Sequence, residues 1–399
     1  MELLSPRFLL FALLIVLAVG ISRGTPRFWV FLGANTYFAS RFLTHAGMIA
    51  IGLFCLAGYT IGWWILRGGR PARYVGPALL VTAFVYLRGY GLLDGLLPGS
   101  WIAQGLAPAG LSFVFFKILH VLIDASAGTL GRLRLGTYLN YCLNFTTFLL
   151  GPIQRYQDFD KQWHQLENPL PATFESHLDT MNRILRGLVK KFVLAEFLAS
   201  HALSASLDVH GVSFLEVTAR TYLFYFTLYC DFSGYCDIMI GLGTFLGVRP
   251  PENFWLPFLS RNITEFWMRV HRSLTLWLTD YVFNPCYARA LRNPFLVERP
   301  MLAMGLALMT TMVVSGLWHG TTLNFLLFGM LHGVYLILFR AYEHVMVARM
   351  GRKRLEVWSK TPFVTMLAVL FTFHATAFAY LFFVLDAKQI GILLQRLLV

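Results

Sequence analysis

The chain has 399 residues, 57% of them hydrophobic and 16% aromatic, against only 13% charged. A water-facing surface needs roughly 25–35% Lys, Arg, Asp and Glu, so soluble enzymes are excluded, as are disordered scaffolds and, with five scattered cysteines, disulfide-stapled secreted modules. The net charge of +13 sits at the ends of apolar runs and forms no block of five or more like charges, which marks a multi-pass membrane protein with no nucleic-acid partner.

A bilayer core needs about 20 apolar residues as helix, and uncharged runs can be measured against that length in chain order. Phe8 to Ser22 lies between two arginines and could pass for a signal peptide; without a convincing small-x-small cleavage site, a retained first helix is expected. Phe28 to Ser40 and Tyr74 to Leu87 suit tilted, broken or peripheral helices. Full-length runs follow, with 25 uncharged residues between Arg41 and Arg67, 22 between Asp94 and Lys117, and 20 between Arg134 and Arg155. The 40 residues between Arg299 and Arg340 make two spans broken at Gly316 to Gly320, and Lys360 to Asp386 holds one more. About ten to twelve spans are expected.

Two segments break this pattern. Gln154 to Lys191, with Trp163, Pro169 and Pro171, reads as a surface loop followed by an interfacial helix ending at Lys190 and Lys191. Pro250 to Arg292 sets Trp255, Trp267 and Trp277 among Arg261, Glu265, Arg269 and Arg272. It is too polar to span lipid and too aromatic for a loop, so it suits helices at the interface or dipping into the protein. No period of about 20 to 50 residues and no inverted halves appear.

Ionisable groups in apolar surroundings are expensive, and so are functional candidates: Asp231, Asp237, His271, His319, His332 and His374. His319 stands in Ser315-Gly316-Leu317-Trp318-His319-Gly320, where a neutral imidazole could accept a hydroxyl proton or could simply be a structural histidine at a helix break. His332 reads as structural, with Gly329 and Gly333 as a small-xxx-small packing ridge; on a straight helix it would face away from His319, and only a break after Gly320 reunites them. Arg261, Glu265 and Arg269 form an i,i+4 ladder on one helical face while His271 turns elsewhere, toward a cavity or as an interfacial anchor. Asp231 and Asp237 flank a Phe-Ser-Gly-Tyr-Cys turn and are expected to cap helices or pair with arginines; with Cys230 and Cys236 they make no zinc pattern, so no metal is expected. His374 reads as a helix-to-helix hydrogen-bond partner. No G-x-S-x-G elbow, Walker loop or H-E-x-x-H is present.

Four ordered blocks carry a family resemblance: Gly151-Pro152-Ile153-Gln154-Arg155-Tyr156; Asp231-Phe232-Ser233-Gly234-Tyr235 continuing to Gly241-Leu242-Gly243; Pro251-Glu252-Asn253-Phe254 through Asp280-Tyr281; and Leu317-Trp318-His319-Gly320 with Leu331-His332-Gly333. The chain resembles the membrane-bound O-acyltransferases (MBOAT) of the bacterial cell envelope from about Leu111 to Asp386. The resemblance implies an all-α polytopic membrane protein of the bacterial inner membrane, with helices around a central tunnel. It divides the chain into N-terminal transmembrane helices at 1–110, a catalytic core at 111–386 and a tail at 387–399. It places the catalytic histidine at His319 and the second implicated histidine at His271. Asn324, Trp318, Asp231, Arg269 and Glu265 are supporting candidates.

The same resemblance implies acyl transfer from a cytoplasmic thioester to a hydroxyl on the outer side. The donor is a phosphopantetheine thioester on an acyl carrier protein, or acetyl-CoA, with no bound cofactor; the acceptor is an envelope polysaccharide or an acceptor protein, in contact with membrane lipid. The passage from Asn284-Pro285-Cys286-Tyr287 to Ala290-Leu291-Arg292-Asn293, without a Gly-Gly-Asn-Arg type loop, resembles the branch that D-alanylates teichoic acids more than the alginate O-acetylase branch, as do the total length and the stretch from Gly128-Thr129-Leu130 to Leu135-Gly136-Thr137-Tyr138-Leu139. Leu323 departs from both branches, which commonly carry tryptophan there, and puts the acyl pocket beside His319 in doubt. From other classes, a lipid-linked saccharide transporter with a proton relay and an inactive assembly scaffold stay open.

Overall fold

The structure is a computed structural model that describes residues 5–22, 24–89, 110–165, 173–204 and 211–397. Among the described residues it is helical, with no strand. The chain divides into two compact units: Met1–Leu188 with Tyr235–Glu252, and Val189–Gly234 with Asn253–Val399.

In the first unit, α1 (Pro6–Ile21), α2 (Thr25–Phe42), α3 (His45–Leu66), α4 (Ala72–Arg88) and α5 (Leu111–Ala127) follow one another. Side-chain caps set two of the starts: Ser5 accepts from the Phe8 N–H at 3.3 Å, and Thr44 from the Gly47 N–H at 3.1 Å. Phe8 packs edge to face on Phe38 and Phe145, which are tilted against each other, with centroids 5.6 to 6.5 Å apart. Beside them Asn35 donates to Asn140 at 3.2 Å and accepts from the Phe145 N–H at 3.0 Å.

Three expectations for this unit are corrected. The run between Arg134 and Arg155 is not one span but two short helices, α6 (Leu135–Leu143) and α7 (Phe145–Phe148), because the Asn144 side chain accepts from the Thr146 N–H and caps a new start. Lys117 does not end a span; it is buried inside α5, its ammonium donating to the Tyr141 carbonyl at 2.9 Å, the Cys142 carbonyl at 3.3 Å and Thr147 Oγ1 at 2.7 Å. Those carbonyls, freed where α6 ends, satisfy the buried amino group. The expected span from 95 to 116 begins outside the described residues. Third, Tyr156–Gln165 is a helix (α8) rather than a surface loop: Tyr156, Phe159 and Trp163 fall on one face, Tyr156 and Phe159 are buried, and Trp163 meets Phe31 with centroids 5.3 Å apart. Pro169 and Pro171 lie outside the described residues.

The helix expected here forms as α9 (Phe174–Val189), with Phe174, Leu178, Met181 and Leu185 exposed in an apolar stripe at helical spacing. The helix does not stop at Lys191 but runs on through Lys190–Ala195 to Ala199. α10 (Phe214–Phe245) absorbs the segment read as a turn, so Asp231 and Asp237 are mid-helix. Six residues apart, they face different ways. Asp237 pairs with Arg183 at 3.0 Å within the first unit, and Asp231 pairs with Lys191 within the second. Arg183 also grips Glu252 in two hydrogen bonds, and together with Arg249 it holds that carboxyl below its ordinary value.

The second unit continues with two short helices, α11 (Ile263–Arg269) and α12 (Arg272–Leu278), then α13 (Pro300–His319), α14 (Leu323–Met350), α15 (Arg352–Ser359) and α16 (Pro362–Ala379). Among the described residues, four helices are long and apolar enough to cross a bilayer: α3, α13, α14 and the stretch Pro362–Val384; Pro6–Ile21 is apolar but shorter. The expected ten to twelve spans exceed this number. The long uncharged run does form two helices, and its break lies at Gly320 to Thr322. α13 and α14 touch through glycine: a Cβ on Gly316 would lie 3.1 Å from Gly329 Cα and collide with the Phe325 carbonyl oxygen, and one on Gly329 would collide with that of Met312.

This close approach predicts that Gly329→Ala destabilises the protein by about 1–3 kcal/mol, because the obstacle is backbone that cannot swing aside. Gly305→Ala, on the same hairpin but with its nearest neighbour at 3.8 Å, is expected to be neutral or slightly stabilising. Thermal unfolding of the two variants checks this; equal effects would contradict it.

Candidate active site

The candidate site lies wholly within the second unit and begins with a buried asparagine. Asn253 Oδ1 accepts from the Ser273 N–H at 3.0 Å and from Ser273 Oγ at 2.8 Å, while its backbone carbonyl accepts from the Arg272 N–H at 3.0 Å. The Trp255 N–H donates to the Arg269 carbonyl at 2.9 Å, so the incoming segment is laced against the junction of α11 and α12. α11 starts where the Asn262 side chain accepts from the Glu265 N–H at 2.8 Å. It ends at Val270, and His271 adopts a left-handed conformation with φ 45° and ψ 44° before α12 begins. A side chain with a Cβ pays about 1–3 kcal/mol for that backbone, which persists where surrounding bonds over-determine it.

The left-handed residue turns the His271 ring inward. It is 5% exposed and sits edge to face with Phe232 at 5.0 Å and Trp318 at 5.5 Å. Among the described residues neither of its ring nitrogens has a hydrogen-bond partner on another residue. Trp318 in turn lies 4.6 Å from the His319 ring, so one indole separates the two histidines. His319 is the last residue of α13 and is half-buried, with Phe383 at 5.2 Å and Phe328 at 5.8 Å.

The break after Gly320 brings His319 and His332 onto the same Phe328, since the His332 ring lies 4.6 Å from it. His332 is fully buried, stacked on Phe266 at 6.1 Å and edge-on to Trp267 at 5.0 Å, which makes it part of the aromatic core behind the site. His374 Nδ1 and the Tyr222 hydroxyl bond between helices at 2.6 Å.

The other candidates frame the site. The ladder forms, with Arg261 Nε 3.2 Å and the Arg269 guanidinium 2.6 Å from the Glu265 carboxylate. Burial pushes the Glu265 carboxyl up, but the N–H and guanidinium of Arg261, then Arg269, pull it further down, to below its ordinary value. Arg269 also lies over the Trp255 ring at 5.1 Å and donates to the Leu256 carbonyl at 3.4 Å, holding α11 to the incoming segment. Asn324 gives one amide hydrogen to the Leu385 carbonyl at 2.6 Å. Asp231 is engaged by Lys191. Among the described residues no three His, Cys, Asp or Glu side chains gather as metal ligands.

Asn253 and Phe232 lay within the quoted sequence blocks without an assigned role. Neither residue type nor spacing marks Asn253 out from the other polar residues of its segment, such as Asn262 and Asn284, and nothing in the sequence points to Phe232. The arrangement can accept a proton at a half-buried imidazole, His319, beside an aromatic wall that packs a second imidazole, His271, on two sides.

Residues 112–385 match the membrane-bound O-acyltransferase family. The chain belongs to that family and is an acyltransferase. Among curated relatives of this MBOAT chain, a teichoic acid D-alanyltransferase of Streptococcus thermophilus is 28% identical over 354 residues, covering 85% of this chain and 83% of its own. A probable alginate O-acetylase of Pseudomonas putida is 32% identical over 289 residues, or 70% of this chain and 55% of its own. A peptidoglycan O-acetyltransferase of Helicobacter pylori is 31% identical over 219 residues, or 53% and 39%. The match thus spans about half or less of the two acetyl-transferring relatives.

The left-handed backbone at His271 is open to a direct check. His271→Gly is expected to be more stable than His271→Ala by about 1 kcal/mol, since glycine adopts φ 45° without a Cβ clash. Thermal unfolding of the two variants measures this, and an alanine variant at least as stable as the glycine one would mean that the junction is not held left-handed.

Proposed function

We propose that this MBOAT protein, in the inner membrane of a bacterium, transfers an acyl group from a cytoplasmic thioester to a hydroxyl of a cell-envelope polymer, or of an intermediate on the way to it. A D-alanyl group is favoured, because the relative covered along 83% of its length is a teichoic acid D-alanyltransferase. The observation that carries the reading is His319, half-buried at the free end of α13 and backed by Trp318 and His271, in an MBOAT chain.

The donor in this reading is a phosphopantetheine thioester on an acyl carrier protein, and the reaction needs no resident cofactor. A carrier of this kind is acidic, and a chain with a net charge of +13 speeds its encounter at the cytoplasmic face. The arm reaches His319 through a tunnel from one side and the acceptor hydroxyl from the other. His319 takes the hydroxyl proton as the oxygen attacks the thioester carbonyl carbon. A C–O bond forms, the tetrahedral intermediate collapses, the C–S bond breaks, and the departing thiolate takes the proton from His319. His271 donates a ring N–H to the oxyanion, and Asn324, with one amide hydrogen committed to Leu385, is the second donor. The aromatic wall keeps water from the thioester, so transfer outruns hydrolysis.

Acetyl transfer to an exopolysaccharide is the alternative, supported by the higher identity of the alginate O-acetylase relatives over a shorter match. Membership of an acyltransferase family weighs against the saccharide transporter.

Proteoliposomes supplied with either a D-alanyl-charged carrier or acetyl-CoA separate these readings. Transfer from the charged carrier is expected, and His319→Ala is expected to lower it by roughly 10²–10⁴-fold with the unfolding temperature kept. Full transfer by that variant would remove His319 from the chemistry; transfer from acetyl-CoA alone would select the acetyl reading.

A further inference from the structure

A groove of about 590 Å³, within the roughly 300–1,000 Å³ of small-molecule sites, lies between α14 and α16. Small residues line it on α16, namely Ala368, Thr372 and Ala375, and Leu338 and Phe339 line it on α14. Both helices are long and apolar enough to cross a bilayer, and the bordering Leu338 and Phe371 are 61% and 76% exposed, so the groove faces lipid rather than the protein core.

Two features give the groove a charge preference. Arg261 lines it, and that guanidinium is tied to Glu265 through Nε alone; among the described residues its two terminal nitrogens carry no partner. In the last turn of α14 and just beyond it, Arg349, Arg352, Lys353, Arg354 and Lys360 are all exposed, opposed there only by Glu356. Such a cluster directly after a spanning helix attracts anionic headgroups. Tyr342 and Trp358 also line the groove, and amphipathic rings of this kind favour the headgroup level.

We propose that this groove binds one anionic diacyl phospholipid of the bilayer, with an acyl chain along Ala368, Thr372 and Ala375 and its phosphate on the terminal nitrogens of Arg261. A transmembrane helix of a partner protein is the competing occupant, and small residues would suit it. It is disfavoured because an apolar helix would cover Arg261 without satisfying the guanidinium, whereas a phosphate completes its hydrogen bonds. The bound phosphate would add a third anchor to the ladder that sets α11, and through α11 the junction at His271.

The test is native mass spectrometry of the full chain in detergent, titrated with phosphatidylglycerol or phosphatidylcholine. One phosphatidylglycerol is expected to bind in preference to phosphatidylcholine. Arg261→Gln should weaken phosphatidylglycerol about tenfold, or about 1.4 kcal/mol, and leave phosphatidylcholine unchanged. Ala368→Trp, or Leu338→Trp should the first fail to fold, should abolish the tightly held lipid by filling the groove. Equal binding of the two lipids, or undiminished phosphatidylglycerol binding by the groove-filled variants, would overturn the proposal. So would a photoreactive residue at position 368 that cross-links in native membranes to a protein rather than to lipid.

Discussion

The site depends on the grip of Asn253 on the junction between α11 and α12. A left-handed histidine is unfavourable by about 1–3 kcal/mol, and the two bonds from Ser273 to Asn253 Oδ1, with the Arg272 N–H on its carbonyl, offset that at about 1 kcal/mol each. Without the grip, nothing in the local sequence would stop α11 from running on into α12, and the His271 ring would swing off the Trp318 indole. The Glu265 ladder and the Thr275 hydroxyl, which donates to the Trp267 carbonyl at 2.7 Å, brace the two sides of the same junction.

A second constraint fixes the other histidine. Gly316 and Gly329 let α13 and α14 approach to backbone contact, which sets the height at which α13 stops and places His319 at its end beside Phe328 and Phe383. Trp318 is where the two constraints meet, touching His271 on one side and His319 on the other. Rigid aromatic contacts on both histidines limit their reorientation, which is what positioning a proton acceptor requires.

The candidate spans α3 and α16 were legible because each fills an uncharged run of bilayer length between charges, and α13 and α14 because one 40-residue uncharged run with a glycine break is too long for a single span, although α14 runs on past Arg340 and Glu343. The same rule misread the segment around Lys117 and Asn144, since it assumes that a charge ends a span and that an uncharged run continues one. Lys117 stays inside α5 by finding the carbonyls that a helix end at Asn144 sets free, a pairing between distant segments that no local pattern reveals. Likewise Ser233 and Gly234 read as a turn, yet both are buried inside α10, where small side chains serve packing. At the site, the histidines and the ladder could be named from residue type and spacing. The role of Trp318 as the spacer between His271 and His319 could not, because it joins segments whose meeting is set by tertiary packing.

Transfer at His319 requires that this half-buried imidazole, set against Trp318, Phe328 and Phe383, be reached by the thioester donor. The most direct measurement places a single cysteine there, as His319→Cys in a chain whose five native cysteines are replaced, and follows its modification by a small thiol reagent with and without a non-hydrolysable donor analogue. Modification that the analogue slows is the predicted result. A cysteine that never reacts, or reacts equally with the analogue bound, would contradict the account.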